Sequence, residues 1–199
     1  MKRSHFLMFN IYCLLFTVFL WGCGDGPGSP GSSGSEDTGI RISAVSITSD
    51  SPDLDVYSSP TACDGESEKL LTRTDATITI QAEKLNPNST FDPFPASVEE
   101  CRITYKKATE DPSSPVIESM TIYPNCTISS GSNTCNITLM DIERKVDFWI
   151  ALVYGVNLPA EYPTHYIAEC KCKYMNNNDK SGYLQSEYDI WLADWLICE

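Results

Sequence analysis

Apolar side chains recur along most of this chain with a period of two. In residues 77–82, Ile78, Ile80 and Ala82 alternate with Thr77, Thr79 and Gln81, the pattern of a strand with one buried face. Cys101, Ile103 and Tyr105 alternate with Arg102, Thr104 and Lys106 in the same way. Residues 40–48 begin in phase at Ile40, Ile42 and Ala44 and then shift to Val45 and Ile47, as a bulge or a strand that changes sheets requires. Residues 116–123 and 135–140 read as strands flanking a Ser/Gly/Asn loop. Residues 145–154 read as the most apolar strand, central in its sheet, with Val146, Phe148, Ile150 and Leu152 on one face. Residues 166–174 and 183–192 predict a last hairpin around the turn from Asn176 to Gly182. No long amphipathic helix is expected. Residues 188–196 fit both a helical face and a strand. A strand running into a short turn is the preferred reading, with Trp191 and Trp195 as packing groups rather than an exposed platform.

About seven to eight strands at short spacing, separated by Pro, Asn, Gly and Ser turn signals, predict an all-β, antiparallel immunoglobulin-like β-sandwich over residues 40–199. Ala168 stands two positions before Cys170, so the tyrosine corner found in many such domains is not expected.

The N-terminus follows a different rule. Lys2 and Arg3 precede a charge-free run over residues 11–21, which has the length of a signal-peptide core rather than of a membrane span. The run ends in Leu20-Trp21-Gly22-Cys23, which resembles the lipobox of bacterial lipoproteins. The resemblance implies that residues 1–22 are a removable signal peptide and that Cys23 becomes the acylated first residue. More than one acyl chain on a residue makes a lasting membrane anchor. Gly24, not Asp, follows the cysteine, which by analogy with Gram-negative lipoproteins implies the outer membrane, on its periplasmic or surface side. Residues 23–39 are rich in Gly and Ser and read as a flexible tether reaching about 20–25 Å. The layout is also similar to that of small single-domain envelope lipoproteins of uncharacterised function. It shares their Gly/Ser tether, acidic turn before the second strand, Cys-bounded hairpin and late Gly-containing hairpin.

Charge narrows the partners. The 199-residue chain carries a formal charge of −13, and loss of Lys2 and Arg3 with the signal makes it −15. Such a chain repels phosphate backbones and anionic lipid headgroups, so nucleic acid is not expected as a partner. Contact with the membrane is expected only through the lipid on Cys23. After the signal, His165 is the one histidine left, which removes two-histidine metal sites and leaves one candidate imidazole base. No nucleophile elbow, phosphate-binding loop or dinucleotide fingerprint occurs. Nothing pairs His165 with a serine, and unpaired carboxylates are no evidence for a glycosidase. A hydrolase is therefore the least supported reading, and no cofactor is expected.

Seven cysteines remain beyond Cys13 and Cys23: Cys63, Cys101, Cys126, Cys135, Cys170, Cys172 and Cys198. In an oxidising compartment they read as disulfides, with an odd one over. Cys126 and Cys135, facing each other across a hairpin, are the first pair expected. Cys170 and Cys172 project from one face of a strand. They either bond separate partners among Cys198, Cys101 and Cys63, or act as a thiol pair for soft metals or redox exchange. Asp179 and Glu187 give the last hairpin a calcium-loop look, but Tyr188 stands where a twelfth-position Glu belongs. That loop and the cluster of Asp50, Asp53 and Asp55 read as solvated turns, so no metal is expected. The expected function is a noncatalytic interaction or structural module of the cell envelope, docking an envelope or extracellular protein through loops such as residues 93–98 and 176–182. The alternative is a thiol or soft-metal protein built on Cys170 and Cys172.

Overall fold

A computed structural model describes residues 32–57, 71–155 and 158–195. The signal segment, the lipobox, Cys63 and Cys198 lie outside the described residues. Among the described residues ten strands form two sheets, and every pairing but one is antiparallel. The small sheet has the order β2 (Ile40–Ser49), β4 (Thr74–Lys84), β8 (Gly131–Met140). The large sheet is built on β10 (Ser181–Ala193), β9 (Thr164–Met175) and β5 (Ala96–Lys107). Two short strands, β6 (Met120–Ile122) and β7 (Cys126–Ile128), follow one another along the free edge of β5. Two others share the free edge of β10: β1 (Ser32–Ser33), antiparallel, at Tyr183 and Leu184, and β3 (Asp53–Asp55), parallel, at residues 191–193. The expected sandwich is therefore present, and this order is that of an immunoglobulin-like fold.

The alternation explains the packing. Ile78, Ile80 and Ala82 of β4 and Ile103, Tyr105, Tyr166, Ala168 and Ile190 of the large sheet are all buried in one core. The register of β2 on β4 slips between Ile42 and Ala44, where the apolar phase shifts. Outward, the sheets differ. The small sheet shows Ser46, Thr48, Thr77, Thr79, Thr134 and Asn136 in facing rows, while the large sheet shows Arg102, Lys106, Glu169, Lys171 and Asp189.

Three expectations need correction. Residues 145–154 are not a central strand but most of a helix, α2 (Ile142–Tyr154). Nearly every residue there is apolar, so periods of two and 3.6 fit equally well. The caps decide. Asp141 Oδ1 accepts the N–H of Arg144 at 3.0 Å, and Glu143 sits in the first turn. Lys145, Phe148 and Leu152 turn inward, at helical spacing. Lys145 runs its stem through the core edge and donates its ammonium to the Thr72 carbonyl at 2.8 Å.

The tether expected over residues 23–39 ends earlier, because β1 and the single helical turn α1 (Ser35–Thr38) are folded onto the last hairpin. Gly34 and Gly39 bracket α1 with left-handed φ of 84° and 70°. Thr38 is fully buried, with its hydroxyl 3.2 Å from that of Tyr174. The strand expected over residues 116–123 is cut to β6. Arg144 donates to the carbonyls of Glu118 and Ser119 at 2.9 and 3.0 Å, so the backbone before β6 bonds to the helix instead of a neighbouring strand.

Candidate functional site

Two disulfides lie among the described residues. Cys101 and Cys172 are direct cross-strand neighbours on the core side of β5 and β9, and they are joined. Cys126 and Cys135 are joined with their Cα atoms 5.5 Å apart. They are not a ladder pair, as a simple hairpin would make them: Cys126 lies opposite Val98 in the large sheet and Cys135 opposite Ile78 in the small one. Their bond crosses the sandwich.

Cys170 keeps a buried thiol 3.6 Å from the sulfur of Cys172. Cys101, Cys170 and Cys172 bring three sulfurs within 4.8 Å of one another. Two are already bonded, as the reading of separate disulfide partners has it, so the alternative of a thiol pair at Cys170-Lys171-Cys172 is not assembled as ligands. Burial pushes the Cys170 thiol up to about 12, so it stays protonated at neutral pH and is a poor nucleophile. Geometry opposes exchange as well. With all three sulfurs within 4.8 Å, an approach of 3.6 Å to one end of a bond about 2.05 Å long is bent to about 115° or less, far from in-line. Cys170 is packed as core.

The other sequence candidates are held by structural partners. His165 Nε2 lies 2.8 Å from Asp189 Oδ1, and its ring stacks on Trp191 with centroids 4.4 Å apart. Among the described residues no serine or cysteine hydrogen-bonds to it, so no nucleophile is set beside the imidazole. Asp179 takes the left-handed turn position with φ 60°, whereas Glu187 stands mid-strand opposite Glu169, so the two carboxylates do not converge. Asn176 is the hub of that hairpin. Its Oδ1 accepts the N–H groups of Asn178 and Lys180, each at 2.9 Å, and its Nδ2 donates to the Thr38 carbonyl at 2.8 Å. Asn177 donates to the carbonyls of Asp92 and Phe94 at 3.0 and 3.1 Å. Asn177 thus ties the two loops expected to carry contacts to each other, while residues 177–181 stay exposed. Asp53 and Asp55 lie on β3, apart from Asp50. Asp50 lines a polar cleft of about 440 Å³ with Arg73, Asp75, Thr77 and Thr138. There Asp75 accepts from Arg73 at 3.0 Å and from Thr138 at 3.1 Å, and His165 is not part of the lining.

Helix α2 is the feature that sequence reading missed. It closes the end of the sandwich farthest from the β9–β10 turn. Phe148 meets Tyr166 edge-on with centroids 6.0 Å apart, and Trp149 meets Tyr57 at 4.7 Å. Its next row, Ile142, Val146, Ile150 and Tyr154, spaced four apart, is 45%, 38%, 48% and 82% exposed, and Val153 beside it is 51% exposed. A helix that is apolar on both its inner and outer sides ordinarily has cover on both. The row following in helical order holds Glu143 and Asp147, both exposed. Arg144 offers them little compensation, since its guanidinium is held 2.5 Å from Asp141 Oδ2. The sequence signal was present: an Asp cap and apolar residues at both 3.6-spaced faces. No described helix is long and apolar enough to cross a membrane.

No protein family, no curated protein and no solved structure matches this chain.

Proposed function

We propose that this chain is a lipid-anchored protein of the cell envelope that works as a noncatalytic interaction module, with α2 as its docking face. The observation that carries this reading is the apolar row of α2 that lies exposed among the described residues, at the end of the sandwich away from Ser32. Ser32, where the described chain begins, pairs with Leu184, eight residues along β10 from Leu192 at the helix end, about 27 Å away. A protein held at Cys23 therefore presents α2 outward, toward a partner rather than its own membrane. The tether raises the local concentration of that face for any partner attached to the same envelope. The acidic charge keeps the domain soluble and favours a neutral or basic docking surface, so binding weakens with salt. A Gram-negative host would place the anchor in the outer membrane, following the rule for Gly24.

Two measurements test the reading. Cys23→Ser is expected to move the protein from the membrane fraction to the soluble envelope fraction and to abolish fatty-acid labelling. Unchanged fractionation without label would remove the anchor from the proposal. A photo-crosslinking amino acid at position 150, in cells, is expected to trap a defined partner. The same group at Thr79, on the hydroxyl-lined face of the small sheet, is expected to trap none. Equal yields at both positions would end the case for α2 as the docking face.

A further inference from the structure

The chemistry around α2 narrows what can sit on it. Residues spaced four apart on a helix form a ridge, and such ridges pack into the grooves of a second helix. Ile142, Val146, Ile150 and Tyr154 make one ridge over the length of α2, 13 residues. Glu143 and Asp147 run parallel to it, one helical row away, and among the described residues neither has an ion-pair partner. Beyond them, Glu118, Glu143 and Asp147 share a groove of about 230 Å³ with Val116, Ile117 and Phe148. The volume suits one long side chain with an aliphatic stem, the stem on Val116 and Phe148 and the head among three carboxylates. Arg144 lines the same groove but is occupied by Asp141 and by the carbonyls of Glu118 and Ser119.

These features select among occupants. A second copy would bring its own Glu143 and Asp147 row beside this one, and each copy carries a net charge of −13 or lower, so self-pairing is opposed. An anionic bilayer is opposed for the same reason. An apolar ridge flanked by lysine or arginine meets both halves of the surface at once.

We infer that α2 receives an amphipathic helix of another protein, whose Leu/Ile/Val ridge packs beside Ile142, Val146 and Ile150 and whose basic residues engage Glu143, Asp147 and Glu118. This inference rests on the reading of α2 as the docking face and adds the chemical class of its partner.

The probes are two synthetic helical peptides with the same leucine ridge at four-residue spacing, one flanked by lysines and one by glutamates. Fluorescence anisotropy against the full chain at low salt is expected to show binding of the lysine peptide and at least tenfold weaker binding of the glutamate peptide. Ile150→Asp is expected to weaken the lysine peptide at least tenfold. That variant adds negative charge, so unspecific attraction would instead strengthen binding. Replacing both Glu143→Lys and Asp147→Lys is expected to reverse the preference between the peptides. Circular dichroism and the melting temperature of each variant report that the fold is intact. Equal binding of both peptides, or a preference unmoved by charge reversal, overturns the proposal. So does a dimer in sedimentation velocity that Ile150→Asp dissolves, or cosedimentation with phosphatidylcholine vesicles lost in that variant. The crosslink at position 150 separates the two levels. A trapped partner with an acidic or non-helical contact region defeats this inference and leaves the docking reading standing, whereas no trapped partner defeats both.

Discussion

The two ends of the sandwich are finished in opposite ways. At the β9–β10 turn the polar groups are satisfied within the chain. Asn176 bonds three backbone groups, Thr38 seals against Tyr174, and Asn177 reaches across to residues 92–94. Gly182 fits there because a Cβ would lie 2.5 Å from the Tyr174 ring and 2.6 Å from the Ser33 carbonyl oxygen. At the other end, α2 closes the core with Phe148 and Leu152 and then leaves a second apolar row in solvent. A closed end satisfies its polar groups internally and exposes no apolar row. An end that keeps apolar surface exposed forgoes its burial, and this is the ground on which α2 is proposed as the docking face. The loops over residues 93–98 and 176–182, which sequence reading suggests as contacts, belong to the closed end, and the docking face proposed above belongs to the helix.

Three substitutions measure that contrast. The largest effect is expected from Phe148→Ala, which empties the inner side of α2 and is expected to lower unfolding free energy by about 3–5 kcal/mol in urea denaturation. A loss below 1 kcal/mol would make α2 an appendage rather than the closure of the core. Next is Asn176→Ala at the opposite end. It leaves the buried Thr38 carbonyl and the part-buried N–H groups of Asn178 and Lys180 without the Asn176 side chain and is expected to cost about 1–3 kcal/mol. Amide exchange is also expected to speed up over residues 32–39, because Thr38 loses its anchor. Unchanged exchange there would show that β1 and α1 are held independently of the hairpin. The smallest effect on stability is expected from Ile150→Asp, within about 1 kcal/mol by the same denaturation. A larger loss would place Ile150 in the core and remove the distinction between the two sides of the helix.

The sequence carries this contrast unevenly. Alternation is enough to place β4 and β5 and even the bulge in β2, because a period of two with one polar face has a single reading, and the hairpin signals place β9 and β10, although residues 188–196 also fit a helical face. It fails where both periods fit. Val146, Phe148, Ile150 and Leu152 alternate with Asp147, Trp149, Ala151 and Val153, and only the Asp141 cap and the 145/148/152 spacing separate helix from strand. Composition also misleads over residues 32–39. Gly and Ser suit a loose tether, yet the same glycines allow the φ values that turn the chain onto β10, and one buried threonine fixes it. The Cys101–Cys172 bond joins positions 71 residues apart, and no local pattern sets that register. The exposed row of α2 was illegible for the same reason as the helix: an apolar row counts as exposed only once its neighbouring row is known to be buried.

The arrangement at the rim of the large sheet has a consequence for crowding. A free strand edge is a template for joining one sheet to another, chain after chain. Here β1 pairs with Tyr183 and Leu184 and β3 with residues 191–193 of β10, so the open stretch between them is residues 185–190. That gap carries Glu187 and Asp189, both exposed. Two molecules meeting there would set acid against acid over too few residues to form a lasting ladder. Joining of two copies through the β10 edge is therefore disfavoured, while the helix at the far end stays exposed.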